Sequence, residues 1–185
     1  KSITINPKNA KAYYNRAIVQ KELKQLDKAI ESSNLAIKYN PNYAEAYKNK
    51  GHIFVELKNY DEAVESFAQA FKINPKLDNL FGSLVHTKHC IIEWNSFDKD
   101  LKELAEKILK KNRVCTPFQS LMFFDSPELQ NITAQTYVKE KFFDKNETFN
   151  VLGKIPDKKI RIGYYSADFR NHAMSFLLAN LYELH

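Results

Sequence analysis

Displacing the sequence by 34 residues lays residues 10–43 onto residues 44–77 with fifteen identities. They include Tyr13/Tyr47, Asn15/Asn49, Leu23/Leu57, Asp27/Asp61, Ala29/Ala63, Ala36/Ala70 and Pro41/Pro75. A period of this length describes one supersecondary unit with an apolar face that it cannot bury alone. Such units must stack, and at least ~3 are expected for stability. The spacing has a physical reading. Ala17 and Gly51 are small where the two helices of a unit cross. Ala29, Ala63, Ala36 and Ala70 let the second helix approach the next pair closely. Pro41 and Pro75 end a helix, because proline cannot donate the backbone bond and clashes with the preceding turn. Tyr13, Tyr47 and Phe67 fill the gaps between helices.

The pattern resembles the tetratricopeptide repeat, a helix–turn–helix unit. Residues 44–77 carry all of its signatures, with Tyr47 in the Trp slot and then Gly51, Phe54, Ala63, Phe67, Ala70 and Pro75. Residues 10–43 match more loosely, with Gln20 and Ser33 at two usually aromatic slots. Asn6-Pro7 precedes Asn40-Pro41 by 34 residues, so residues 1–9 read as the tail of an earlier repeat in a chain cut from a longer array. After Leu77 the pattern decays. Residues 78–90 read as a first helix and residues 97–111 as its partner, apolar at Leu101, Leu104, Ala105, Ile108 and Leu109. Residues 78–111 therefore form a divergent capping repeat.

In stacked units the successive first helices line a concave groove. Asn15 and Asn49 occupy the same register there, beside Tyr14/Lys48 and Ile18/His52. An amide side chain both donates and accepts, which suits bonding to a polypeptide backbone without reading its side chains. Asn15 and Asn49 are thus the candidate peptide-binding residues, against the plainer alternative of solvated asparagines on an exposed helix. A clamp of clustered Lys and Arg for a terminal carboxylate is not apparent.

Residues 112–158 read as a connector with one helix. Ser126 caps it, Pro127 lies in its first turn and Glu128 sits near its positive end, and it runs to about residue 143. Residues 144–159 are polar with Gly and Pro, hence a linker. Residues 159–166 then read as a strand, 167–172 as a loop and 175–184 as an apolar helix. Strand, loop and helix open a parallel α/β sheet, whose ligands sit at the carboxyl ends of the strands. The fold expected is mainly α, a helical solenoid followed by connector helices and one βα unit.

Ile160-Arg161-Ile162-Gly163-Tyr164-Tyr165-Ser166-Ala167-Asp168-Phe169-Arg170-Asn171-His172 resembles the start of the catalytic region of the protein O-GlcNAc transferases and their bacterial relatives. Cys90, Trp94, Pro117, Asp125-Ser126-Pro127, Gln130, Ala134 and Tyr137 resemble the segment that precedes it in that family. The resemblance implies transfer of N-acetylglucosamine from UDP-GlcNAc to Ser or Thr of proteins by a GT-B fold of two Rossmann-like lobes. Residues 159–185 would be the truncated start of the first lobe, and the repeats would guide the polypeptide acceptor. His172 matches the family's active-site histidine, as a base or as a group orienting acceptor or donor phosphate. Phe176 stands where animal members often carry a second histidine, so a paired-histidine mechanism does not carry over. Asp168 reads as a residue tying the turn together. The donor should bind mainly in the second lobe, so the chain as given is expected to lack transfer activity. The lone strand leaves backbone groups unpaired. It is expected to pair with a second chain as a homo-oligomer, to pack on the connector helices, or to be poorly ordered. The competing class is a repeat adaptor that binds proteins and has no enzyme attached.

Composition narrows the alternatives. The net charge is +6 and the pI about 9.1, but the lysines are spread along the chain beside acids, as in Lys102-Glu103, with no aromatic and basic platform for nucleic acid. No apolar run approaches the ~20 residues of a membrane helix, and the first residues lack a signal-peptide core. Two cysteines, Cys90 and Cys115, make neither a disulfide framework nor a zinc site, so a reducing cytoplasm is the default. His86 and His89 lie near Cys90 without a fourth ligand, so no metal is expected. The four glycines stand far apart, which leaves no Gly-rich phosphate loop, and no cofactor is suggested.

Overall fold

The computed structural model describes residues 6–93 and 95–142 of the 185-residue chain. They lie within one compact unit, and every regular element among them is an α-helix. The elements are α1 (Ala10–Glu22), α2 (Leu26–Tyr39), α3 (Ala44–Glu56), α4 (Tyr60–Ile73), α5 (Leu80–Cys90), α6 (Phe97–Leu109), α7 (Pro117–Phe123) and α8 (Pro127–Phe142). The strand expected at 159–166, the helix at 175–184, the linker, Asp168 and His172 all lie outside the described residues. So do Trp94 and residues 1–5.

α1–α2, α3–α4 and α5–α6 form three successive hairpins, with α2 packed on α3 and α4 on α5. The turns repeat as faithfully as the sequence does. Asn6, Asn40 and Asn74 each stand before the turn, and each Oδ1 accepts from the backbone N–H two residues on, at 3.1, 3.2 and 3.1 Å. The following proline cannot continue a helix, and the asparagine side chain supplies the turn's missing acceptor. Within each hairpin the first helix ends at a left-handed residue. Lys24, Lys58 and Ile92 take φ of 58°, 61° and 60°. Their 34-residue spacing carries the repeat through the third unit, where sequence identity has faded.

Ile92 is β-branched, and a left-handed conformation costs such a residue more than it costs lysine. Its side chain is exposed, so it gains little from packing there. Ile92→Gly should therefore raise stability by about 1 kcal/mol, read as a higher denaturant midpoint at unchanged slope. A lower midpoint would contradict the left-handed turn.

Packing explains the divergence between the first two units. Phe67 is fully buried, and a Cβ added at Gly51 would stand 2.6 Å from its ring. The first unit has Ala17 and Ser33 at the same two positions, so a larger residue on one helix accompanies a smaller one opposite. Phe67 joins Ala63, Ala70, Leu80 and Leu84 in a core shared by the second and third hairpins. Phe71 bridges this core to the next, stacking on Phe81 with ring centroids 5.3 Å apart.

That next core is where the connector enters. Phe81, Val85, Leu104, Ile108 and Cys115 are buried together, with Phe123, Leu129 and Ile132 packed against them. Third hairpin and connector thus share one apolar interior. The connector holds two helices among the described residues, where one was expected. α7 begins with a capping box: Gln119 N–H donates to Thr116 Oγ1 at 3.3 Å, and Thr116 N–H donates to Gln119 Oε1 at 3.0 Å. The Thr116-Pro117-Phe118-Gln119 pattern is the sequence signal for this short helix. α8 starts as expected, with Ser126 Oγ accepting from Leu129 N–H at 3.4 Å.

Between α6 and α7 the chain runs back over α5. Lys111 ends α6 with φ 58°, and residues 112–115 then pass the start of α5. Asn79 N–H donates to the Arg113 carbonyl and Gly82 N–H to the Val114 carbonyl, both at 2.7 Å. α5 has no side-chain cap, so these carbonyls satisfy donors that a helix start would otherwise leave open.

Candidate functional site

The face built by the first helices of the hairpins can be followed by register. Tyr14, Lys48 and Gly82 share one position, Ile18, His52 and His86 a second, and Asn15, Asn49 and Ser83 a third.

At the first position, Tyr14 lies against Tyr43 with ring centroids 5.1 Å apart. Burial raises the pKa of both phenols. The Lys48 ammonium donates to the Asp78 carbonyl oxygen, and the Asp78 carboxylate pairs with Arg113. Burial pushes Lys48 below the usual lysine range, while the Asp78 charge opposes that shift. Lysine at this site is therefore anchored to the turn that opens the third hairpin.

At the second position, the His52 ring meets Phe67 edge-on at 5.0 Å. Burial, then the Lys48 and Lys21 charges, lower its pKa to about 4, against a smaller opposing effect of Glu56. It is a neutral imidazole at pH 7. His86 is likewise lowered, by burial first and then by His89.

At the third position, Asn15 is exposed, whereas Asn49 is 7% exposed with Nδ2 3.5 Å from Ser33 Oγ. The two asparagines keep the common register but not a common environment. Asn49 lies in the helix packed on α2 and leans on it. α1 has no described helix on that side, and the same contrast separates buried Ile53 from its counterpart Val19, 57% exposed.

The face changes at the third hairpin. A Cβ placed on Gly82 would stand 2.3 Å from Cys115 Cβ and 2.9 Å from the Val114 carbonyl oxygen. His86 lies edge-on to Phe123 at 6.4 Å. Connector atoms thus occupy both positions on α5 that correspond to the half-buried ledge on α1 and α3. Sequence reasoning missed this closure. Its one signal is glycine in the register of Tyr14 and Lys48, where a helix with a free surface has no need of it. The buried Cys115 thiol, pushed up to about 12 by burial, is a packing residue and not a nucleophile. Among the described residues there is no cluster of His, Cys, Asp or Glu able to hold a metal, and no helix long and apolar enough to cross a membrane. His172 lies outside the described residues.

Fold and site together define a helical-repeat protein whose first helices present a ledge of polar and aromatic side chains. The repeats are tetratricopeptide repeats. The family model described as "Tetratricopeptide repeat" matches residues 44–77, and a second model of the same description matches residues 1–31. Among solved structures, YrrB, described as a TPR protein with an unusual peptide-binding site, is similar at 20% identity and TM-score 0.53, over 76% of this chain and 73% of that one. MamA is similar at 17% identity and TM-score 0.50, over 75% and 80%. The Arabidopsis OM64 TPR domain aligns at 15% identity and TM-score 0.48, over 69% and 93%. No curated protein sequence matched the chain.

Proposed function

We propose that the repeats bind an extended polypeptide along the ledge of α1 and α3, with Asn15 and Asn49 bonding to its backbone. The observation that carries this reading is the register itself. Two consecutive first helices repeat an amide at one position, with the half-buried Tyr14/Lys48 and Ile18/His52 beside it, while the third helix is covered from within the chain. Asn15 is the freer of the two amides, and Asn49 would exchange its long contact to Ser33 for a bond to the guest. Replacing both with alanine should weaken binding of an unstructured polypeptide about tenfold and leave helicity intact, measured by fluorescence anisotropy and circular dichroism. Unchanged affinity would remove the asparagines from the site.

The finer reading is that this polypeptide is the acceptor of a sugar transfer. The likeness of residues 160–172 to the protein O-GlcNAc transferases supports it. UDP-GlcNAc would be the donor and Ser or Thr the acceptor, with His172 at the reacting end. A non-enzymatic adaptor is equally consistent with the described residues, since all their regular elements are helices of the repeats and connector. Assaying labelled sugar transfer by the protein that carries this chain separates the two. Transfer that His172→Ala abolishes supports the enzyme, and absence of transfer supports the adaptor.

A further inference from the structure

A second surface, adjoining the ledge at Asp78 and Val114, lies where the third hairpin meets the connector. Two adjoining hollows of about 570 Å³ each share Lys111 and Arg113 in their walls. One runs between the turn bearing Lys76 and Asp78 and the end of α6 with Lys107. The other continues along α8 past Ile132, Gln135, Thr136 and Lys139.

Five cations therefore line this pair of hollows, the cleft, and only Asp78 among its lining residues is acidic. Asp78 is already engaged by Arg113, and Lys107 pairs with Glu103 at 3.2 Å. Lys76, Lys111 and Lys139 are exposed and make no ion pair among the described residues. Lys111 is common to both hollows, with Lys76 in the wall of one and Lys139 in the wall of the other, so an anionic guest spanning the two meets all three charges. The shape indicates which kind of anion. The lining spans two hollows, its exposed charges are point-like lysines, and the amides of Asn112 and Gln135 and the Thr136 hydroxyl stand among apolar Leu77, Val114 and Ile132. A compact phosphate would instead call for converging backbone N–H groups or a bidentate arginine fork, and Arg113 is committed to Asp78.

We propose that this cleft binds an acidic, extended polypeptide segment of a partner protein, with Lys76, Lys111 and Lys139 meeting its carboxylates. The assignment rests on these charges and not on the asparagines of the ledge.

The test uses the full 185-residue chain and a fluorescein-labelled Glu-rich peptide, followed by anisotropy at low and moderate salt. Lys76→Glu with Lys139→Glu reverses two exposed charges. It should weaken binding roughly tenfold or more, because like charges then face each other across the cleft. Lys28→Glu with Lys38→Glu makes the same change in net charge on α2, away from the cleft, and should leave affinity within about twofold. The same charge reversal is repeated on an Asn15→Ala, Asn49→Ala background, where the tenfold loss should persist, which separates this proposal from the ledge reading. Equal losses in the two charge-reversed variants would reduce the effect to net charge and overturn the site. Loss of the charge-reversal effect on the asparagine-free background would move Glu-peptide binding to the ledge and overturn it too. A single-stranded oligonucleotide that displaces the peptide and binds more tightly, with the same sensitivity to Lys76 and Lys139, would overturn the acidic-polypeptide assignment. Circular dichroism of each variant shows that the fold persists.

Discussion

Gly82→Ala should destabilise the protein by at least about 3 kcal/mol, far beyond the usual cost of adding a methyl group. The new Cβ would stand 2.3 Å from Cys115 Cβ, 2.8 Å from Cys115 Cα and 2.9 Å from the Val114 carbonyl oxygen. Two of those three atoms are backbone, so no rotamer change relieves the clash. Either residues 112–115 lift away from α5 or α5 itself moves. Both responses break the bonds from Asn79 and Gly82 N–H to the Arg113 and Val114 carbonyls. Both also open the core that Phe81, Val85, Leu104, Ile108 and Cys115 share. Cys115 is 3% exposed, and the variant should make its thiol reactive toward a disulfide reagent. Cys115→Gly on the Gly82→Ala background should restore only part of the stability, since two backbone contacts remain. Wild-type stability with a protected Cys115 in the single variant would show that the connector does not lie on α5 this closely.

The second large effect is a dependence of stability on pH. His52 has a folded pKa of about 4, below its ordinary value of 6.5. Between those two values the unfolded chain binds the proton and the folded chain does not. Stability is therefore fully present above about pH 6.5 and falls as the solution is acidified toward pH 4. The loss from this group has an upper bound of about 3 kcal/mol. The cause is local: the ring packs on Phe67, and Lys48 and Lys21 would repel a second cation beside them. Glu56 offers partial relief. Denaturant titrations at several pH values check the slope, and His52→Gln should flatten it over this range. A slope that survives the substitution would assign the effect to other groups, with His86 next to consider.

The repeat was legible because stacking imposes it on side chains one unit apart. Ala29, Ala63, Ala36 and Ala70 are all fully buried, as close helix approach requires. The third hairpin was legible from the apolar spacing of Leu101, Leu104 and Ile108, although its identity to the others is slight. The connector was read less well. α7 spans seven residues, about two turns, and shows too few periods for apolar spacing to reveal it, so its capping box was the only available mark. The covering of α5 was harder still, since it joins residues 82 and 115, far apart in sequence and related by no period. The asparagines show a different limit. Repetition predicts that Asn15 and Asn49 share a register, and they do. Whether an amide faces solvent depends on the unit before it, which no local pattern encodes.

The connector atoms on α5 also set a length. Neighbouring packed helices stand about 10 Å apart, and an extended chain advances about 3.3 Å per residue. The ledge on α1 and α3 thus accommodates a stretch of about six residues before Val114, Cys115 and Phe123 bar the way. A guest bound as proposed would have to veer off at the third hairpin. Backbone contacts over so few residues would give brief residence and treat most sequences alike. Discrimination between guests would then fall to whatever each carries at the bend.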